Sequence, residues 1–152
     1  MPTTYRQAVD DIFTLFAAKW NAETTAIVGY IPVVQYQNIE APGKIPTDKY
    51  WCRVSQKGID EQQSSLSNSV IAPGNRNYSP IGLVFVQLFA PRSAHNAMLT
   101  LRALAEVARS AYRGKRSPND VVFNRTRIVE LDPDETFFSI NVISEYEYDE
   151  NG

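Results

Sequence analysis

The sequence predicts a single α+β domain in which two helices pack on a mixed, mostly antiparallel sheet of about five strands, with a long β-hairpin loop. Three observations lead there. The chain has 152 residues, 43% of them hydrophobic and 21% charged, which suits one compact domain. Two segments carry apolar residues at steps of three and four, and several others alternate or run apolar over strand lengths. Neither an internal repeat nor a linker-like change of composition divides residues 1–152. The order helix, strand, strand, central strand, helix, strand, strand therefore describes one layer of helices on one sheet.

Thr4-Tyr5-Arg6-Gln7 matches a capping box, in which the Thr hydroxyl and the Gln amide satisfy backbone groups that a helix start leaves unpaired. In the helix that follows, Tyr5, Val9, Ile12, Phe13, Phe16 and Trp20 share one face, while Arg6, Asp10, Asp11 and Lys19 face away. Such an aromatic stripe is expected to be core. Residues 26–36 are β-prone but broken by Gly29 and Pro32, so a short strand is expected after Pro32. Pro42, Gly43 and Pro46 mark 38–47 as a loop. Residues 49–56 alternate as a strand with Tyr50, Cys52 and Val54 on one face, which makes Cys52 a small core residue.

Residues 58–78 are polar and read as a flexible loop, either a mobile surface excursion or a segment that orders against a partner. Residues 81–89 are apolar on both alternating faces, the pattern of a central strand. Pro91 ends it. Ser93 is expected to cap a second helix that runs to about Arg113 and is closed by Gly114, with His95 in its first turn. Met98, Leu101, Ala105, Ala108 and Tyr112 form its stripe, and its many alanines permit close approach to the sheet or to another subunit. A hairpin closes the chain, joining 121–131 to 136–148 across Asp132-Pro133-Asp134-Glu135. On the last strand Phe138, Ile140, Val142, Ser144, Tyr146 and Tyr148 share one face, opposite Ser139, Asn141, Glu145 and Glu147.

Several classes of function are disfavoured. No stretch approaches the roughly 18 consecutive apolar residues of a spanning helix, and the N-terminal apolar segment 12–18 is amphipathic, so neither a membrane span nor a secretion signal is expected. One cysteine, Cys52, and one histidine, His95, leave no internal disulfide, no Cys-rich zinc site and little for imidazole chemistry. Phosphate-binding glycine loops, a nucleophile elbow and paired-His motifs do not occur. Asp10, Asp11, Glu145 and Glu147 read as exposed carboxylates, without the enclosure that separates a catalytic acid from its base. We therefore expect no enzyme activity, no catalytic residues, no metal and no cofactor.

The net charge of −2 hides a segregation along the chain. Between positions 92 and 127 lie eight basic residues against two acidic ones, a net +6; positions 130 to 150 carry eight acidic residues and no Lys or Arg. The acidic run extends into an acidic C-terminal end at 145–152. Arg109, Arg113, Lys115 and Arg116 gather where the second helix should end, a position that the helix dipole alone favours for cations. The segregation reads either as a solvated surface or as complementarity between copies of the chain or with partners. Sequence-specific nucleic-acid binding is disfavoured by the overall balance.

The chain also resembles a known family. The carrying features are a first helix closing on Phe16 and Trp20, and the strand Pro32-Val33-Val34-Gln35-Tyr36-Gln37-Asn38. They continue in Tyr50-Trp51-Cys52-Arg53-Val54, a polar loop, and Ile81-Gly82-Leu83-Val84-Phe85-Val86-Gln87-Leu88-Phe89-Ala90-Pro91 directly before an Ala-rich helix and a hairpin. Over nearly its whole length this is similar to the tail terminator (tail completion) proteins of long-tailed bacteriophages and a closely related phage family of unassigned function. The resemblance implies a virion protein, assembled in the host cytoplasm, that forms a homo-oligomeric, typically hexameric, ring at the head-proximal end of the tail. The ring would dock on the tail-tube protein, stop polymerisation and present a surface to the head-completion protein, while genomic DNA passes through the bore without sequence-specific binding. In that setting Arg109, Arg113, Lys115 and Arg116, with Glu145 and Glu147, are candidate interface residues. Gln62, Ser65, Asn68, Asn75 and Arg76 are candidates for a tube-facing loop. Another ring-forming neck or tail-tube component of the same particle, or a small-ligand enzyme, are the alternatives.

Overall fold

A computed structural model describes residues 3–37, 47–63 and 77–151. The capping box forms as expected: the Gln7 N–H donates to Thr4 Oγ1 (3.2 Å) and the Thr4 N–H to Gln7 Oε1 (3.0 Å), opening helix α1 (Tyr5–Glu23). Ala8, Ile12, Phe16 and Trp20 are its buried stripe, and the Trp20 indole donates to the Pro32 carbonyl (3.1 Å). Two positions differ from expectation. Tyr5 is exposed, and Asp11 is buried at 9% exposure because its carboxylate accepts the Asn119 backbone N–H (2.9 Å) and side-chain amide (3.0 Å). A partner 108 residues away draws this carboxylate inward.

Part of the β-prone stretch after Asn21 is a one-turn helix, α2 (Thr25–Val28). Its end is set by Gly29, whose φ of +82° is a left-handed conformation that suits glycine. Ile27 and Val28 pack against the core from that turn, so tertiary contact overrides β propensity here. Strand β1 (Val33–Tyr36) follows Pro32, as the sequence predicts, and pairs parallel with the start of β2 (Trp51–Gln63).

The largest difference lies in the polar segment. β2 and β3 (Asn77–Pro91) form a long antiparallel hairpin whose ladder runs from the pair Trp51 and Phe89 out to Gln63 and Tyr78, with a bulge between Gly58 and Asp60. Residues 58–63 and 77–78 are thus strand and not loop; 64–76 fall outside the described residues, as do 38–46 of the expected earlier loop. Backbone pairing, indifferent to side-chain polarity, carries the ladder past the end of the apolar core.

β3 is the middle of the sheet, whose order is β1-β2-β3-β5-β4, with β4 (Val122–Glu130), β5 (Phe137–Glu147) and the two-residue β6 (Glu150–Asn151), which pairs with the outer end of β3. Only the β1–β2 pairing is parallel. Five full strands and two long helices make this the α+β fold that the sequence predicts.

The second long helix, α3 (Ala97–Tyr112), starts later than expected. Ser93 does not cap it; a turn in which the Ala94 N–H meets the Pro91 carbonyl leads to Asn96, at φ 53°, without a side-chain cap. Asn is among the few residues that take this conformation at low cost. His95 is therefore exposed ahead of the helix rather than in its first turn. Gly114, at φ +69°, follows the helix end as expected. Both long helices lie on one face of the sheet, where Cys52, Val54, Val84, Val86, Leu88, Ile140 and Val142 meet Ile12, Phe16, Leu101, Leu104 and Tyr112. The buried Tyr112 hydroxyl donates to the Ile12 carbonyl (2.9 Å), tying α3 to α1.

Gly82 has a packing role. A Cβ built there would overlap the Tyr146 ring and sit 2.6 Å from the Lys57 carbonyl oxygen, whereas one at Gly58 meets nothing within 4 Å. Gly82→Ala is expected to cost about 1–3 kcal/mol, the range for overpacking a filled site. Gly58→Ala should stay within about 0.5 kcal/mol. Urea unfolding of the two variants checks this: the Gly82 variant lowers the midpoint and the Gly58 variant does not.

Candidate assembly surfaces

The two faces of the sheet differ. On the face away from the helices, Trp51 and Phe89 stack with centroids 4.1 Å apart, and Phe137 stands edge-on to both at 5.9 and 5.6 Å. The Arg53 guanidinium lies over Trp51 and Phe89 at 5.6 and 5.9 Å. Ser139, on the same face, is buried beside this cluster, although its alternation alone would leave it exposed. Among the described residues no helix covers this side. Its polar side chains include Gln35 Oε1, Trp51 Nε1 and Asn141 Oδ1, all buried without a hydrogen-bond partner among the described residues. Gln35, Arg53, Gln87 and Asn141 form one row across four strands. Unpaired buried polar atoms are uncommon in folded proteins.

The candidate charges fall in three places. Arg109 is half-buried in the last turn of α3, and Arg113, Lys115 and Arg116 are exposed in the turn beyond it. Arg116 reaches Asp120 at 3.5 Å; Arg109, Arg113 and Lys115 make no ion pair with the described residues. Glu145 lies on the opposite side of the sheet and faces Arg125 (3.7 Å) and Arg127 (4.0 Å) of the neighbouring strand. Glu147 is exposed near the end of β5. Arg102 and Glu130 make a further exposed pair at 2.9 Å. The basic and acidic stretches of the sequence therefore meet partly within one chain, because β4 lies beside β5. Gln62 lies in β2; Ser65, Asn68, Asn75 and Arg76 fall outside the described residues.

A groove of about 600 Å³ opens at the base of the hairpin arm, on the helix-bearing side. Tyr5, Tyr146 and Tyr148 form its walls, Ile59 its apolar lip, and Asp60, Glu61 and Glu150 its charge. Tyr146 and Tyr148 stack with centroids 6.4 Å apart. A hydrogen-bonded chain fixes the floor: Tyr146 Oη donates to Gln56 Oε1 (2.7 Å) and Gln56 Nε2 to Tyr5 Oη (3.0 Å). Gly82 provides the space in which the Tyr146 ring lies. Helical and strand periodicity do not reveal this site, since it joins residues near positions 5, 56, 80 and 146; only the strand register brings them together.

Among the described residues no three His, Cys, Asp or Glu side chains stand close enough to share a metal ion, and no helix is long and apolar enough to cross a membrane. Cys52 is fully buried, and burial pushes its thiol well above the ordinary range.

Neither the family models nor the curated proteins give a match to this sequence. Solved structures do match in fold. One is a chain of the virion of a native gene transfer agent particle, 14% identical, aligned over 92% of both chains with a TM-score of 0.51. Another, which carries no functional description, is 16% identical over 91% of this chain and 94% of its own, with a TM-score of 0.57. At these identities the likeness establishes the fold.

Burial, and next the Tyr5 hydroxyl, push the Tyr146 phenol up to about 12. An unfolded tyrosine ionises near 10.0, so the folded form holds its proton longer. The stability this group contributes is complete below pH 10 and is lost as pH rises from 10 to about 12. Thermal unfolding across that window should show a falling Tm, and Tyr146→Phe should flatten the fall.

Proposed function

We propose that the protein is a structural component of a phage-like particle: a tail terminator whose copies form a hexameric ring on the head-proximal end of the tail tube. It stops tube growth there and offers the surface to which the head attaches. The role is architectural and not enzymatic. The observation that carries the proposal is the fold match, over 92% of both chains, to a chain of a gene transfer agent virion. The sequence resemblance to tail terminators supports the same reading and narrows it to the tail end.

Two features of the isolated chain support assembly. A ring needs a heterologous contact, in which two different surfaces of one subunit meet those of its neighbours. The cations Arg113 and Lys115 after α3, unpaired among the described residues, and the acidic groove at the hairpin arm are two such surfaces. The uncovered sheet face, with its buried unpaired atoms on Gln35, Trp51 and Asn141, suits a surface that is completed by assembly.

The purified protein, alone and mixed with tail-tube protein, should be measured by light scattering and electron microscopy. The expected result is one species near the mass of six chains that caps tube ends and limits tube length. Open-ended polymerisation of the protein by itself would identify a tube component instead. A monomer that ignores the tube protein would overturn the reading.

A further inference from the structure

Resting on the ring reading, we infer that the tyrosine-walled acidic groove at the base of the hairpin arm receives the basic turn of a second copy of this chain, residues 113–116. The argument begins with what the groove contains. Its described lining includes the acidic residues Asp60, Glu61 and Glu150 and no Lys or Arg; the register sets Glu61 opposite Pro80, whereas Asp60, opposite Ile81, stands at the rim and turns toward the other face. None of the three makes an ion pair with the described residues, and one oxygen of Asp60 accepts the Glu61 backbone N–H (2.8 Å). Beside them stand aromatic faces and Ile59, which is 57% exposed. Carboxylates next to tyrosine rings fit an Arg or Lys side chain, whose charge meets the acid and whose flat or aliphatic part lies on the ring.

The complementary group exists on the same chain. Arg113 and Lys115 are exposed and make no ion pair with the described residues, and Arg109 stands half-buried one turn before them. Placement decides that they serve a neighbour. The strand register puts Gly58, Gly82, Tyr146 and Phe123 in one row across β2, β3, β5 and β4. Arg116 bridges to Val122, one residue from that row. Groove and basic turn are therefore level with each other on the helix-bearing side; β2, which carries Glu61, is three interstrand spacings from β4, about 15 Å of sheet width at roughly 4.8 Å each. Thr3 stands between the two patches, with its N–H on the Asp149 carbonyl (2.8 Å) and its hydroxyl on the Asn119 carbonyl. Among the described residues no ion pair joins the two patches within one chain. Side by side, the basic flank of one copy faces the acidic flank of the next.

Among the described residues β2 also has an unpaired edge here. β1 pairs only with its first four residues, so the backbone of residues 57–63 borders the same flank. A neighbour docking through its basic turn approaches a surface that has charge and aromatic walls together, beside a strand edge that no described residue pairs.

Charge reversal tests this on the full chain, with association measured by light scattering over a concentration series and folding checked by circular dichroism. Asp60→Lys with Glu61→Lys, or Arg113→Glu with Lys115→Glu, should each weaken association about tenfold or more, as expected for apposed interface charges. The variant carrying all four reversals should recover it, and added salt should weaken the wild type. Wild-type assembly that both reversed pairs leave intact would overturn the inference while the ring reading stands. So would folded reversals that the fourfold variant fails to rescue. If the groove reversals leave self-association unchanged and abolish binding of tail-tube protein, the occupant is another protein and the inference is likewise overturned. A wild type that stays monomeric with and without tail-tube protein would remove both.

Discussion

Two long helices cover one face of a five-strand sheet, and strand alternation sends every second side chain to the other face. Most of the molecule follows from that constraint. On the covered side the alternate residues are Val, Leu, Ile and Cys, fully buried against α1 and α3. On the other side the sequence still supplies Trp51, Phe89 and Phe137, which must bury one another because no described helix does so. Stacking with the Arg53 cation reduces their exposure, yet the same compaction encloses polar atoms of Gln35, Trp51 and Asn141 without partners among the described residues. A chain selected only to be stable as a monomer has little reason to keep three such groups, since each costs desolvation that a hydrogen bond would offset. A chain that completes this face on assembly does.

The charge segregation reads differently once the strands are in place. A basic stretch followed by an acidic one becomes, in part, an ordinary hairpin with cross-strand pairs, Arg125 and Arg127 against Glu145. Exposed pairs of this kind contribute little stability. What remains after those pairings are cations at the end of α3 and carboxylates around the hairpin arm. Two of those acids, Asp60 and Glu61, belong to neither segregated stretch. The linear charge map points to complementarity, and the fold decides which charges remain available for it.

The parts of the fold legible in the sequence are those governed by near neighbours. The capping box at Thr4, the stripe on α1, the apolar central strand and the left-handed Gly114 each depend on residues within a turn or two. The parts that were not legible depend on distant partners. Asp11 is drawn inward by Asn119, Ile27 and Val28 are held helical by the core, and residues 58–63 are strand because 77–82 lie beside them. Polar strand pairs beyond the end of a core carry no hydrophobic period, so no pattern in their own side chains distinguishes them from a loop. The groove is the extreme case. Its floor needs Gly82 opposite Gly58 on one side and Tyr146 on the other, a coincidence of register across three strands.

In the proposed ring the charges choose which flanks meet, but they do not fix how many copies close it. A heterologous contact repeated around an axis closes only if the rotation between neighbours divides a full turn; otherwise it continues as a helix. The two flanks here are the borders of one sheet, and successive strands of a sheet rotate by roughly 20–25°. The angle between the groove and the basic turn is therefore set by the accumulated twist of β2, β3, β5 and β4. The bulges between Gly58 and Asp60 and between Asn124 and Arg127 lie near those two borders, where a local change of twist alters the angle most. In the proposed ring side-chain charge specifies the partner surface, while backbone geometry at the two bulges governs whether the repeat of that contact closes.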